Sequence, residues 1–209
     1  PLLTITQPNI LDIPKCLSLG LVGVTTNGVV IYNASDARGN DAVAHEIVDV
    51  FGGHPARDEY HYHFIPERFD KNSLEDGHSG KVGYIIDGFP IYGHWFIDSN
   101  NQLVRAESGY ETYNSNSRTP IGTALHGTPP TPWDIENNPD DFESDFGLEM
   151  GRYEEDWYFA GTGNLDECNG AYDVNGNYGY YITDKYPFTP PCTFGARDPS
   201  FGKNSPTLP

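Results

Sequence analysis

The chain is poor in positive charge. Twelve Lys and Arg stand against 30 Asp and Glu, a formal charge of −18 over 209 residues. A surface this acidic repels nucleic acid and anionic lipid, so neither is an expected partner. Long apolar runs are missing too. None approaches the ~20 residues of a membrane span, so no membrane insertion is expected. Cysteine is scarce: three residues are too few for a disulfide scaffold. Helical periodicity is rare. There is no G-x-S-x-G, no Gly-rich phosphate loop and no H-E-x-x-H, which removes the commonest hydrolase, nucleotide and zinc-protease signatures.

What is abundant is aromatic and turn-forming. The chain holds 14 Tyr, 11 Phe, 3 Trp, 23 Gly and 17 Pro. Aromatics at this density supply apolar area to offset chain entropy, which argues against disorder. With so many turn residues the composition reads as short strands and tight connections, hence a mostly β protein of one domain over 1–209. A two-sheet sandwich-like architecture is expected rather than a closed barrel. The opening "PLLTITQ" reads as a mature or trimmed start.

One segment repeats. "GLVGVTTNGVVIY" (Gly20–Tyr32) and "GKVGYIIDGFPIY" (Gly80–Tyr92) agree at six of thirteen positions. Asn-Gly and Asp-Gly between apolar runs are hairpin signals, with positive φ expected at both central positions of a type I′ turn. The likeness continues from Asp49–Phe64 to Asp166–Ile182. Asp49 aligns with Asp166, Gly53 with Gly170, and "YHYH" with "YGYY". This predicts an internal pseudo-two-fold duplication, with one half over about 17–70 and the other over about 77–192.

The second half carries an acidic, Pro-rich insertion over about 117–157. Ten acids lie between Asp134 and Asp156, against Arg152 alone. The insertion reads as a solvated loop. Calcium binding there, or at "DVNGN" (Asp173–Asn177), is a weak alternative, because no complete D-x-[DN]-x-[DN]-G loop is present. "DAVAHEIVDVF" (Asp41–Phe51) places Val43, Ile47 and Val50 at helical spacing, with Asp41 as N-cap. Cys168 and Cys192 flank an expected hairpin and form a candidate disulfide, which implies an oxidising compartment; Cys16 is left over.

The sequence carries seven histidines. In "DEYHYHF" (Asp58–Phe64), strand alternation sends His61 and His63 to one face and Tyr60 and Tyr62 to the other. An H-x-H strand supplies two corners of a metal site. His54, after "GG", and His78, in "GHSG", are candidates to complete it. All-imidazole ligation suits one transition metal ion, copper or zinc. Asp49, Glu46, Asp87 and His45 are candidates to orient the imidazoles. His94 and His126 read as structural or exposed. With an open position, zinc there would activate water and copper would do redox chemistry. No catalytic residue can be named. The competing reading is a non-catalytic binding or structural surface module for a glycan or protein partner, with Trp95, Trp133 and Trp157 as a stacking platform.

"GGHP" before "YHYH", then "HS" before "VGYIIDGFPIYG", then "LDECNG" and "YPFTPPC", is a specific order of motifs. It resembles the YHYH-domain family, over roughly Leu19 to Cys192. The resemblance implies an exported protein, secreted, periplasmic or at the cell surface. It implies no particular reaction. Many members carry cysteine where Phe51 stands and again soon after the tetrapeptide. Both are absent here, as joint loss of one bridge would leave them. Some members have a second His-rich tetrapeptide where this chain has "YGYY", so a second metal site is not expected here.

Overall fold

The computed structural model describes residues 8–37, 39–56, 58–70, 78–113 and 150–198. Residues 114–149, which hold most of the expected insertion over about 117–157 with Trp133 and His126, lie outside them. Fourteen short strands carry the described fold. The chain begins with β1 (Ile10–Cys16), β2 (Leu21–Thr25), β3 (Val30–Tyr32), β4 (Gly53–Ala56) and β5 (Glu59–Tyr62), with helix α1 (Ala42–His45) between β3 and β4. Next come β6 (Lys81–Ile85), β7 (Pro90–Tyr92), β8 (Trp95–Ile97), β9 (Leu103–Arg105) and β10 (Tyr110–Thr112). The chain closes with β11 (Trp157–Phe159), β12 (Gly170–Tyr172), β13 (Tyr178–Tyr181) and β14 (Cys192–Gly195).

The protein is mostly β, as its composition requires. Instead of two facing sheets, the described strands form one eight-stranded mixed sheet and three two-stranded ones. The large sheet runs β12-β13-β7-β6-β2-β3-β5-β4. Its middle seam is the antiparallel β2–β6 pair, where Val24 faces Tyr84 and the flanking pairs are Gly23–Ile85 and Thr25–Gly83. β3 then pairs in parallel with β5, and β7 in parallel with β13. One face of this sheet is the core: Val22, Ile31, Tyr62, Ile85, Ile91, Tyr180 and Ile182 are buried together.

Both repeated segments are hairpins, but their turns are not type I′. Gly28 and Gly88 take positive φ, whereas Asn27 and Asp87 do not. Gly28 N donates to Thr25 O and Thr25 N to Val29 O; Gly88 and Ile85 do the same with Ile85 O and Phe89 O. This is the three-residue loop with a bulge, which needs only its last residue left-handed. "DVNGN" is the same turn again: Asp173 Oδ1 accepts from Asn175 N and Asn177 N, and Gly176 is left-handed. Its carboxylate serves the hairpin.

The expected helix over Asp41–Phe51 shortens to the four residues of α1. Asp41 does cap it, accepting from Val43 N and Ala44 N. After His45 the chain turns outward, leaving Ile47 93% and Val50 68% exposed. Their helical spacing therefore marks no buried face. Cys168 and Cys192 are bridged, tying the turn before β12 to β14. Cys16 is free and exposed. Among the described residues no helix is long and apolar enough to cross a membrane.

Candidate metal centre

β5 carries the first three residues of the tetrapeptide, with His63 directly after its end, and the alternation sorts the side chains as expected. Tyr62 enters the core and Tyr60 packs edge-on against it, 5.6 Å between centroids. His61 and His63 go to the other face and are 1% and 3% exposed. Their Nε2 atoms lie 3.0 Å apart.

β4 brings the third imidazole. His54 pairs directly with His61 across the antiparallel β4–β5 ladder, and residues directly opposite share a face. The two glycines before it make this approach possible. Gly52 has φ +80°, and a Cβ at Gly53 would stand 2.4 Å from His61 O and 2.7 Å from the Tyr60 hydroxyl. The ligand atoms of His54, His61 and His63 all lie within 4.8 Å of one another.

Each ring is held from behind. His63 Nδ1 lies 2.6 Å from Asn33 O, and His61 Nδ1 lies 3.4 Å from Glu59 O. A carbonyl only accepts, so satisfying both requires a proton on each Nδ1. Two neutral rings in that state turn two Nε2 lone pairs toward one another. On His54, Nε2 stands 2.7 Å from Glu46 Oε2. Burial drives the His63 imidazole down to about 4, against the Asn33 carbonyl that favours its charged form. Burial also lowers His61. Near neutral pH His61 and His63 are therefore uncharged nitrogen donors. Burial raises Glu46, with His54 opposing that shift.

The other candidates lie elsewhere or act indirectly. Asp49 touches no imidazole. Its Oδ1 accepts from Phe51 N and Gly53 N, and its Oδ2 from the Tyr60 hydroxyl at 2.9 Å. It thereby shapes the turn that delivers His54. Asp87 is fully buried in the turn between β6 and β7, accepting from the Tyr180 hydroxyl at 2.6 Å and Gly195 N at 2.9 Å. His45 lies exposed on α1. His78 packs on Tyr92 and Tyr181, with its Nε2 3.3 Å from the Tyr181 hydroxyl. Of the two candidates to complete the pair, the structure brings His54 to it. His94 is buried with Nε2 3.6 Å from Asp184 Oδ1. Trp95 lies beside Arg105, and Trp157 packs on Tyr186.

Two contributors escaped the sequence reading. Tyr32 stacks on His61 at 4.0 Å, meets His63 edge-on at 6.0 Å, and donates its hydroxyl to Glu59 Oε2. Asn33 supplies the carbonyl behind His63. Both follow from the parallel β3–β5 pairing, in which Ile31 faces Tyr62 and the next residue, Tyr32, shares a face with the imidazoles. Local pattern carries no signal of that long-range pairing.

No curated protein and no solved structure matches the chain. The model of one family, described as YHYH protein, matches residues 12–195. That span contains the His cluster, both repeated hairpins and the disulfide, and the chain belongs to the YHYH protein family.

Proposed function

We propose that this chain is an exported metal-binding protein that holds one transition-metal ion, copper or zinc, on His54, His61 and His63. The observation that carries the reading is the 3.0 Å approach of two Nε2 atoms whose rings present their other nitrogens to backbone carbonyls. Two facing lone pairs repel unless an electrophile lies between them. Burial disfavours an added proton on either ring, and a neutral His61 could place its own proton there only by giving up the Nδ1 contact to Glu59 O. A metal ion answers the repulsion well. Two nitrogens each ~2.0–2.1 Å from a tetrahedral zinc are roughly 3.3 Å apart, close to the spacing found. The Nδ1 contacts to carbonyls and the Glu46 contact to His54 are the outer partners that metal-bound histidines use to fix ring orientation.

Three histidines leave a coordination position open. A bound zinc would polarise water for hydrolysis and a bound copper would support redox chemistry. This chain's own part is to orient the nitrogens through Asn33 O, Glu59 O and Glu46, and to cover His61 with Tyr32. Export is supported by the Cys168–Cys192 bridge, since such bonds persist in oxidising compartments.

We also infer that the large sheet is two copies of one four-strand unit, about 17–70 and about 77–192, the second carrying the insertion over about 117–157. The register supports this: Val24 and Tyr84, equivalent in the repeat, face each other at the seam. So do matching details. Asp49 with Tyr60 is reproduced by Asp166 with Tyr178, at 2.8 Å, and left-handed Gly52 by left-handed Asn169. In this frame Ala171, Gly179 and Tyr181 stand where the first half has His54, His61 and His63.

Calorimetry with Cu²⁺ and Zn²⁺ on untagged wild type and on His61→Ala/His63→Ala tests the metal reading. One equivalent should bind to wild type and none to the double variant. Equal binding by both would leave the tetrapeptide as a core strand.

A further inference from the structure

β1 and β14 form a two-stranded sheet of their own, and its register sets Cys16 directly opposite Cys192. The pair is of the close kind. Leu17 N donates to Pro191 O at 3.0 Å, which makes Leu17–Pro191 a hydrogen-bonded pair. Antiparallel pairs alternate, so Cys16–Cys192 is a non-hydrogen-bonded one, whose Cα atoms stand about 4.5 Å apart. Directly opposed residues also share a face. A disulfide needs Cα atoms roughly 4.4–6.8 Å apart. The backbone therefore already holds Cys16 within bonding range of Cys192.

Cys192 is instead bridged to Cys168, and both are buried. Cys16 is the free thiol, and it is exposed. A thiol set beside a disulfide is the arrangement from which thiol–disulfide exchange proceeds. Both ends of the present bridge are also held without it. The β1–β14 ladder keeps Cys192 in place. In the turn before β12, Asp166 Oδ1 accepts from Cys168 N at 2.9 Å and Gly170 N at 2.8 Å, and Asn169 Nδ2 donates to Pro187 O at 2.6 Å. The same backbone thus suits either pairing.

The surroundings restrain the thiol. Partial burial of the sulfur raises it above the ordinary range, against a backbone hydrogen bond, and the carboxylates of Glu154 and Glu167 add to the rise. The Tyr110 hydroxyl, which donates to Glu167 O at 2.9 Å, lies within electrostatic reach of the same sulfur. Only the thiolate attacks, so exchange should be slow near neutral pH and faster in alkali.

We propose that Cys16, Cys168 and Cys192 form a thiol–disulfide exchange site, in which the bridge moves between Cys168–Cys192 and Cys16–Cys192. The Cys16 thiolate attacks Cys192 Sγ, the bond to Cys168 breaks, and Cys168 leaves as a thiolate that takes up a proton. One S–S bond forms as one breaks, so the step needs no oxidant or reductant. It shifts the covalent tie from the turn before β12 to the end of β1. The inference stands apart from the metal reading.

Two experiments test it. Cys168→Ser leaves Cys16 and Cys192 as thiols. Oxidised glutathione, itself reduced to two glutathione thiols per bridge, should convert this variant to a monomer with no alkylatable thiol and a linked Cys16–Cys192 peptide in a digest. Two free thiols, or glutathione retained on Cys16, would overturn the proposal. Wild type tests the same step without a substitution, and decides the matter if the variant fails to fold. Folded, oxidised protein is held at about pH 9, quenched in acid, and labelled with a maleimide in denaturant at about pH 5, where too little thiolate remains for exchange. Most label should fall on Cys16 and roughly 1–10% on Cys168, as for a sparsely populated second state. Cys192 belongs to both bridges and should stay unlabelled. Label on Cys168 below about 1% would overturn the proposal, and so would label on Cys192 equal to that on Cys168.

Discussion

Glu46 Oε2 stands 2.7 Å from His54 Nε2, across the loop that joins α1 to β4. The contact holds the imidazole that β4 contributes, while His61 and His63 are held by main-chain carbonyls. Glu46 is therefore a side chain whose removal should loosen one ligand and spare the other two. Glu46→Ala should lower zinc affinity about 10–100-fold, the usual effect of losing such an outer partner. Both groups are partly exposed, at 20% and 27%, so global stability should change little. Unchanged affinity by calorimetry would show that Glu46 does not position His54.

His63 predicts a pH dependence of the metal-free protein. Its folded pKa is depressed to about 4 by burial, against about 6.5 unfolded. The unfolded chain therefore takes up the proton first. The contribution of neutral His63 is fully present above about pH 6.5 and is lost as pH falls toward 4, by up to about 3 kcal/mol. Asp41, raised to about 6, and Glu154, raised to about 9, both by burial, work in the opposite sense. The difference between wild type and His63→Gln isolates the imidazole. Urea unfolding at several pH values should show wild type losing more stability than the variant between pH 7 and 5. Parallel curves would refute the assignment.

The disulfide gives a prediction independent of the metal. Cys168 and Cys192 are separated by 24 positions, and closing such a loop stabilises by about 3 kcal/mol in the chain-entropy model. Cys168→Ser/Cys192→Ser should unfold at correspondingly lower urea. Oxidised wild type should show one alkylatable thiol, Cys16. Three alkylatable thiols in protein prepared under oxidising conditions would remove the bridge and with it the support for export.

How much of this was legible follows the range of each interaction. His61 and His63 could be paired from sequence because strand alternation is local. Asp41 as N-cap was legible for the same reason. The choice between His54 and His78 was not: it depends on which strand lies next to β5, and the β4–β5 register places His54 opposite His61. Tyr32 was hidden because parallel pairing joins β3 to β5 across the intervening helix and β4. Val43 packs against Ala34, Tyr186 and Phe188, but Ile47 and Val50 misled because spacing alone does not bury a face. The chain turns at Asp49, whose carboxylate accepts from Phe51 N and Gly53 N. The repeat foretold both hairpins but not their turn type. In the three-residue loop one left-handed glycine suffices, so Asn27 and Asp87 keep negative φ.

Gly53 tests the turn mechanically. A methyl group there would meet His61 O at 2.4 Å and the Tyr60 ring at 2.8 Å. The carbonyl cannot move without breaking the ladder. Gly53→Ala should cost about 1–3 kcal/mol by overpacking and should weaken metal binding by displacing β4 from His61. Chemical unfolding and calorimetry read the two effects. Wild-type values for both would mean that β4 need not approach so closely.

The proposed duplication offers the strongest test of how the site is built. If the halves share one framework, imidazoles placed at Ala171, Gly179 and Tyr181 should converge as His54, His61 and His63 do. The backbone acceptors have counterparts there in Gly93 O and Asn177 O. The parallel β7–β13 pairing sets Ile91 opposite Tyr180, as β3–β5 sets Ile31 opposite Tyr62. Two differences bear on the outcome. A Cβ at Gly179 would stand 2.6 Å from Tyr92 Cε2, so that ring must rotate toward the stacked position Tyr32 holds over His61. No carboxylate matches Glu46, because Gly163 occupies its aligned place. Ala171→His/Gly179→His/Tyr181→His should therefore bind a second equivalent of Zn²⁺, about 10–100-fold more weakly than the first. Adding His61→Ala/His63→Ala should leave only the weaker event. Circular dichroism before titration establishes that the variant is folded. A folded triple variant that still binds one equivalent would mean that the two halves do not share the framework that makes the site.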